Sequence, residues 1–339
     1  MKRNYWFYVL IFVLIVLISF SVLEKQKMEY TTHITGVMDT TSDITVITKA
    51  DGTKIINDIS DLLYKYDEMF SHTNVNSDIY KLNNSIDTDI SSETYDIIQK
   101  CKEFYDDTNG SFDITVGAVA EVWNETFKTN KLPDFELLKS LVDTVSYENL
   151  NFTDEKVKIT EPNQKIILGS VVKGYSADKI KDYLNESKAD DALINLGGNI
   201  YAKGKNKNNN LWNIGIQDPV DENELLLLIK VKDKFVVTSG NYIRYADIDS
   251  VRYHHIIDAK TGFPVQNELN SVTIISDSGF VADALSTSCF IMGFEESKSL
   301  LEKYGVFAVF ATKDNKVFYS EKIENSIEKI NKNYEYIPF

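Results

Sequence analysis

Residues 271–292 read SVTIISDSGFVADALSTSCFIM, and residues 306–319 read VFAVFATKDNKVFY. Ser271 to Ser276 is a β-branched run that predicts a strand, and Ala282 to Met292 predicts a helix. Val306 to Thr312 and Lys316 to Tyr319 predict a hairpin. Just upstream, Val251 to Ile257 predicts another strand, followed by the turn Thr261–Gly262–Phe263–Pro264. Strands therefore follow one another without a helix between each pair. That pattern predicts an α+β fold rather than a doubly wound parallel sheet.

The rest of the chain repeats the pattern. Val37 to Thr48 alternates as a strand, and Ile55, Ile59, Leu62, Leu63, Tyr66 and Met69 carry helical spacing up to Phe70. Ser71 to Asn84 is turn-rich and predicts a loop. Helices are expected from Ser92 to about Asp107, over Pro133–Val142 and over Gly174–Glu186. Tyr147 to Ile159 predicts two strands around a Thr153–Asp154 turn, with Ile166–Leu168 a third. Ala192–Leu196 and Leu211–Gln217 predict strands, and Leu225–Val231 with Lys234–Ser239 predicts a hairpin.

Before all of this, Lys2 and Arg3 precede an uncharged, largely apolar run from Asn4 to Leu23. A bilayer-crossing helix needs about 20 apolar residues. Positive charges ahead of such a run favour a cytoplasmic N-terminus, which puts the remaining chain outside. Two other readings stay open: a cleaved signal peptide with Ser19 and Ser21 before the cut, and a buried core helix. The expected organisation is a membrane anchor or signal segment over 1–23, a polar linker over 24–36 and a folded part over 37–339.

The chain has 339 residues and a formal net charge of −15, from 36 Lys plus Arg against 51 Asp plus Glu. That field repels polyanions and no basic block offsets it, which argues against nucleic acid as a partner. Only Cys101 and Cys289 are present, which rules out a zinc ribbon or a disulfide scaffold. A single bridge between them and two buried free thiols are both open.

Four segments have chemical potential. His254 and His255 are adjacent on a predicted strand, so only one can face a site. Asp258 follows them. Asp283 and Thr287 are four apart and share a helical face, where a carboxylate and a hydroxyl suit a hard cation such as Mg²⁺. Leu168–Gly169–Ser170–Val171–Val172–Lys173–Gly174 can bring backbone N–H groups and an ammonium to a phosphate, although its spacing is not that of a Walker A loop. Ser111 to Gly117 sets Asp113 among small residues. Taken alone, the His pair and the Asp283/Thr287 face read better as structure, and the other two segments are weak signals.

Together and in this order they resemble the ApbE family, the FAD:protein FMN transferases. The resemblance rests on Met38–Asp39–Thr40, Phe70–Ser71 with Ser77 and Asn83, Ser111 to Gly117 with Trp123, and Lys173–Gly174–Tyr175. It continues through Asn195 to Gly198, Ser239 to Tyr242, His255 to Pro264 and Ala282 to Thr287. It implies a T-fold-related α+β domain of mixed sheets with packed helices behind a single N-terminal transmembrane helix. The implied reaction is Mg²⁺-dependent transfer of FMN from the substrate FAD to a Thr or Ser hydroxyl of an acceptor flavoprotein, with release of AMP. The implied metal ligands are Asp283, Thr287 and Ser170, the last through its carbonyl. Implied nucleotide contacts are Met38, Thr73, Ser111, Phe112, Asp113, Lys173 and Ile257, and His255 is implied beside the transferred phosphate. The implied place is the cell membrane, single-pass, with an extracytoplasmic catalytic domain.

The chain departs from the family pattern at Asp39, where Gly is usual, and at Ile167, where Asp is usual. It departs again at Thr73, where an aromatic is frequent, and at Ala259, where Pro is frequent. Ile167 and Thr73 motivate an alternative, a relative that binds FAD or splits its pyrophosphate without transferring FMN.

Overall fold

The computed structural model describes residues 7, 26–85, 89–153 and 156–339. The anchor expected over 1–23 lies outside the described residues, Phe7 apart. Among the described residues no helix is long and apolar enough to cross a membrane.

The chain opens with a hairpin, β1 (Met28–Val37) and β2 (Thr40–Thr48). The linker expected over 24–36 is thus mostly an edge strand, and the single strand expected over 37–48 is the second half of a pair. Met38 and Asp39 form the two-residue turn, both with positive φ (53° and 54°). Such turns usually carry Asn-Gly or Asp-Gly, so this one left no readable signal. Next come α1 (Gly52–Phe70), α2 (Asp78–Asn83), α3 (Ser92–Asp107), α4 (Gly117–Thr129) and α5 (Phe135–Val142). The loop expected over 71–84 therefore contains a short helix, capped by the Ser77 side chain on Tyr80 N–H.

The small hairpin β3 (Leu150–Thr153) and β4 (Lys156–Ile159) follows as expected. Ile166–Leu168 is not a strand: only neighbouring Lys165 forms an isolated bridge, to Val116. Beyond it lie α6 (Val172–Glu186), β5 (Asp191–Leu196), β6 (Asn199–Lys203), β7 (Trp212–Gln217), β8 (Leu225–Val231) and β9 (Lys234–Gly240). Then come β10 (Tyr245–Ile248), β11 (Val251–His254), β12 (Leu269–Ser276), α7 (Gly279–Met292), α8 (Phe294–Tyr304), β13 (Phe307–Thr312), β14 (Lys316–Tyr319), β15 (Ile327–Lys329) and β16 (Glu335–Pro338).

Nine strands form one sheet in the order β1-β2-β5-β6-β9-β12-β13-β14-β16. Every pair is antiparallel except β14 with β16, which bears out α+β. The expected hairpin of β8 with β9 does not form. β8 pairs with β7 and β15 in a separate three-stranded sheet, while β9 sits at the centre of the large one.

Strand periodicity explains the layering. On β9, Phe235 and Val237 face the main core, which holds α1, α6 and α7 side chains, and Val236 faces the small sheet. Ile274 and Ile275 on β12, and Phe310 and Val309 on β13, divide in the same way. The large sheet is therefore buried on both faces, which is why β12 and β13 read as continuous apolar runs rather than alternating ones. Cys101 and Cys289 are free and buried. A third, small cluster joins α4 and α5 to the loop after β11 through Val119, Trp123, Leu138 and Ile257.

Candidate active site

α6 and α7 cross at two glycines. A Cβ on Gly174 would stand 2.2 Å from the Gly279 carbonyl oxygen and 2.6 Å from the Asp283 Cβ. One on Gly279 would stand 2.5 Å from the Gly174 oxygen. This close approach lets the Gly174 N–H donate to Asp283 Oδ2 at 2.8 Å. Asp178 of α6 fixes the phase of α7 by accepting from Gly279 N–H (2.7 Å), Phe280 N–H (2.9 Å) and the Ser278 hydroxyl (2.8 Å). A carboxylate at a helix N-terminus also offsets the partial positive charge there.

Asp283 is buried, and burial raises its pKa against the opposing pull of Lys173, the Asn199 side chain and Gly174 N–H. Thr287 lies one turn on, half-buried, with Oγ1 3.4 Å from Ser239 Oγ. Ser239 Oγ is closer to Ser286, at 2.8 Å. Ser170 occupies the turn before α6, half-buried. Lys173, in the first turn of α6, reaches back to the Gly169 carbonyl at 3.4 Å.

The two histidines have different tasks. His254 is buried and donates from Nε2 to the Val265 carbonyl at 2.7 Å, while its Nδ1 accepts from Ile256 N–H at 3.3 Å. Both ring nitrogens are spent, and the ring packs edge-on against Phe290. His255 points the other way and is half-buried. Its Nδ1 lies 3.2 Å from the Arg244 carbonyl, which only accepts, so the proton sits on Nδ1 and Nε2 keeps its lone pair. Its backbone N–H donates to the same carbonyl at 3.0 Å. Burial, then the positive charges of Arg244 and Lys173, push the His255 pKa down to about 4, against the smaller opposing effect of its bond to Arg244. The imidazole is therefore neutral at pH 7.

The charge of Lys173 bears on both Asp283 and His255, in keeping with carboxylate, ammonium and imidazole sharing one site. Two surface hollows of about 480 and 300 Å³ lie elsewhere, and none of these three side chains lines them.

The other expected contacts join this site through the backbone. Ile167 N–H donates to the Ile114 carbonyl (2.8 Å) and Gly117 N–H to the Lys165 carbonyl (2.9 Å), so the 111–117 segment is laced to the run that leads to Ser170 and Lys173. Asn83 clamps the same run through both the N–H and the carbonyl of Ile166. Asp113 accepts from the N–H and hydroxyl of Thr115 (2.8 and 2.7 Å), yet burial still raises its pKa to about 6. Ser111 is half-buried beside it. The Phe112 ring is buried against Phe104 and its N–H donates to Thr108 Oγ1.

Met38 donates its N–H to Asp67 Oδ1 at 3.0 Å, and the Asp67 carbonyl accepts from Ser71 N–H at 3.1 Å. Asp67 therefore ties the β1–β2 turn to the loop holding Thr73, which is exposed and hydrogen-bonded to Ser71. Ile257 is buried and bridges to Pro264 across a turn organised by Asp258, whose side chain accepts from Lys260 N–H and Thr261 Oγ1. Trp123 Nε1–H pins that turn at the Gly262 carbonyl (2.7 Å). Asp258 is thus a turn-forming residue.

Sequence reasoning missed Arg244, because a carbonyl that orients a histidine leaves no mark in residue type. It also missed Asn199, the residue after the Gly197–Gly198 pair, which lies 2% exposed beside Asp283.

The donor set fits a hard cation. Among the described residues no three His, Cys, Asp or Glu side chains are placed to share a metal. A buried carboxylate with a hydroxyl one turn along the same helix offers oxygen donors, the kind that Mg²⁺ takes together with substrate phosphates and water.

The sequence pattern of the ApbE family matches residues 38–310. The FAD:protein FMN transferase of Treponema pallidum (strain Nichols) is 36% identical over 225 residues, covering 61% of this chain and 62% of that protein. The FAD:protein FMN transferase of Klebsiella pneumoniae (strain 342) is 31% identical over 231 residues, covering 67% and 71%. The matched segment thus spans about three fifths of the Treponema relative's length. Among solved structures, the ApbE protein of Thermotoga maritima superposes with a TM-score of 0.81 at 28% identity, covering 88% of this chain and 99% of that one. The flavin transferase ApbE of Vibrio cholerae gives 0.78 at 25% identity, with the same coverage.

Proposed function

The chain belongs to the ApbE family, and on that premise we propose that it is an enzyme that transfers FMN from FAD to a Thr or Ser hydroxyl of an acceptor protein. The observation that carries this reading is the α6–α7 crossing, where the N–H of Gly174, next to Lys173, donates to the buried Asp283 carboxylate, with Thr287 one turn on. A buried carboxylate suited to a cation, an ammonium and a neutral imidazole in one place are what the splitting of a pyrophosphate by a hydroxyl needs.

In this reading the acceptor hydroxyl oxygen attacks the phosphorus of the FMN half of FAD. The bond from that phosphorus to the bridging oxygen breaks, and AMP leaves with the electron pair. The hydroxyl proton passes to His255 Nε2, which is free because Nδ1–H is held by the Arg244 carbonyl. Arg244 is thus a positioning residue, acting through the imidazole. Lys173 offsets phosphate charge. Asp283, Thr287 and the Ser170 carbonyl would hold Mg²⁺, which would supply neutralisation of charge on the phosphate oxygens. Ser111, Phe112, Asp113, Met38, Thr73 and Ile257 contact the nucleotide. Residues 1–23 hold the enzyme at the outer face of the cell membrane.

The test is direct. The purified protein with FAD, Mg²⁺ and an acceptor flavoprotein gives a covalent flavin adduct visible by in-gel fluorescence, and Asp283→Ala gives none. FMN and AMP release without an adduct would favour the pyrophosphatase alternative motivated by Ile167 and Thr73. Anchoring is read separately: the full chain should sediment with membranes and be accessible to protease from the outer side.

A further inference from the structure

We propose that Asn199 is a positioning residue for the cation site, its side-chain amide holding the Asp283 carboxylate in the orientation that a divalent cation requires. This rests on Asp283 being a cation ligand, as proposed above.

Four buried side-chain polar atoms among the described residues have no hydrogen-bond partner: Tyr147 Oη, Gln164 Nε2 and Oε1, and Asn199 Nδ2. A buried donor without a partner costs about 1–3 kcal/mol, so each calls for an explanation. Asn199 is the one that the fold brings to the proposed cation site: it is 2% exposed and pairs with Val237, two residues before Ser239, whose hydroxyl meets Ser286 of α7 at 2.8 Å, one turn beyond Asp283. A buried amide donor without a partner thus sits on the strand that runs beneath this turn of α7, and the pull of the Asn199 side chain on the Asp283 pKa agrees with that placement.

The local fold accounts for that placement. Gly197 and Gly198 both have positive φ (57° and 92°) and turn β5 back into β6, so Asn199 is the first residue of β6. There it pairs with Leu196 on one side and Val237 on the other. The strand is central and its backbone is fixed from both neighbours. The side chain therefore points into the space between the sheet and α7 from a rigid base, as Gly174 N–H does from α6.

A carboxylate has about four acceptor positions. Gly174 N–H takes one on Oδ2. A second donor, from Asn199 Nδ2, sets the rotation of the carboxylate about its own axis. The remaining lone pairs then face one direction, and a cation meets them without reorganisation. Outer partners of this kind typically change metal affinity by about 10–100-fold when removed.

The experiment is a Mn²⁺ titration of the purified protein, without nucleotide, followed by the electron paramagnetic resonance signal of free Mn²⁺. Asn199→Leu keeps the volume and removes the donor. Asn199→Ser keeps a polar group too short to reach. Both should bind Mn²⁺ at least about tenfold more weakly than wild type, with thermal midpoints close to wild type for whichever variant folds. Asp283→Ala should abolish the binding. The proposal is overturned if both variants retain wild-type Mn²⁺ affinity, or if wild type binds no Mn²⁺ that Asp283→Ala removes. Because no transfer is measured, failure of flavin transfer with intact Mn²⁺ binding would count against the transferase reading and leave this one standing.

Discussion

Gly174→Ala sets two physical effects against each other. Gly174 lies in the first turn of α6, and its φ is not positive. By helix propensity alone, alanine stabilises such a position by about 1 kcal/mol. The crossing with α7 opposes this. The added Cβ would sit 2.2 Å from the Gly279 oxygen and 2.6 Å from the Asp283 Cβ, and neither is the free end of a flexible side chain. Carbon–oxygen contacts are comfortable from about 3.3 Å, so the helices must part by roughly 1 Å. That stretches the 2.8 Å bond from Gly174 N–H to Asp283 beyond hydrogen-bonding range.

Overpacking costs about 1–3 kcal/mol and a lost bond to a charged group about 1.5–3 kcal/mol. After the propensity gain, the variant should be destabilised by about 2–5 kcal/mol. Urea unfolding reads this as a lower midpoint at unchanged slope. Mn²⁺ affinity should fall as well, because Asp283 loses its aligned donor. A Gly174→Ala protein as stable as wild type would refute the close-crossing argument, and with it the account of how Asp283 is held.

Three further outcomes follow from the site. His255→Ala should lower flavin transfer by about 100-fold or more at near wild-type stability, whereas His254→Ala should chiefly lower the thermal midpoint, since that ring is buried and bonded at both nitrogens; equal kinetic losses at equal stability would contradict the assignment. Burial lowers the His254 pKa to about 4, against an unfolded value near 6.5, so the unfolded state binds the extra proton first. Stability from this group is complete above pH 6.5 and falls by about 3 kcal/mol as pH drops toward 4, measurable as a pH-dependent urea midpoint whose slope His254→Gln reduces, the remainder coming from His255. Trp123→Phe removes the donor to the Gly262 carbonyl and should cost about 1 kcal/mol; denaturant curves that superpose on wild type would show that the turn is held by packing alone.

Much of this architecture is written in local pattern. The α3 span, the β13–β14 hairpin and the helix around Asp283 follow from period and caps, and the order of motifs from Met38 to Thr287 is a property of the sequence alone. The choice of His255 over His254 came from the resemblance and not from strand periodicity, because adjacent strand residues face opposite ways and alternation does not say which way is inward; the fold adds that both His254 ring nitrogens are bonded internally. The partner of β8 also needed the fold: a strand's apolar run shows that it is buried, not in which sheet. The β1–β2 turn was hidden because Met38 and Asp39 adopt a conformation that their residue types disfavour. The segment around Asp283 was legible as a carboxylate and hydroxyl on one helical face. Only tertiary structure decided what holds that carboxylate. Two glycines distant in the chain let the helices touch, and an asparagine from a central strand arrives from the other side. These are contacts between backbones and buried amides, and neither leaves a spacing in the sequence that could have been read.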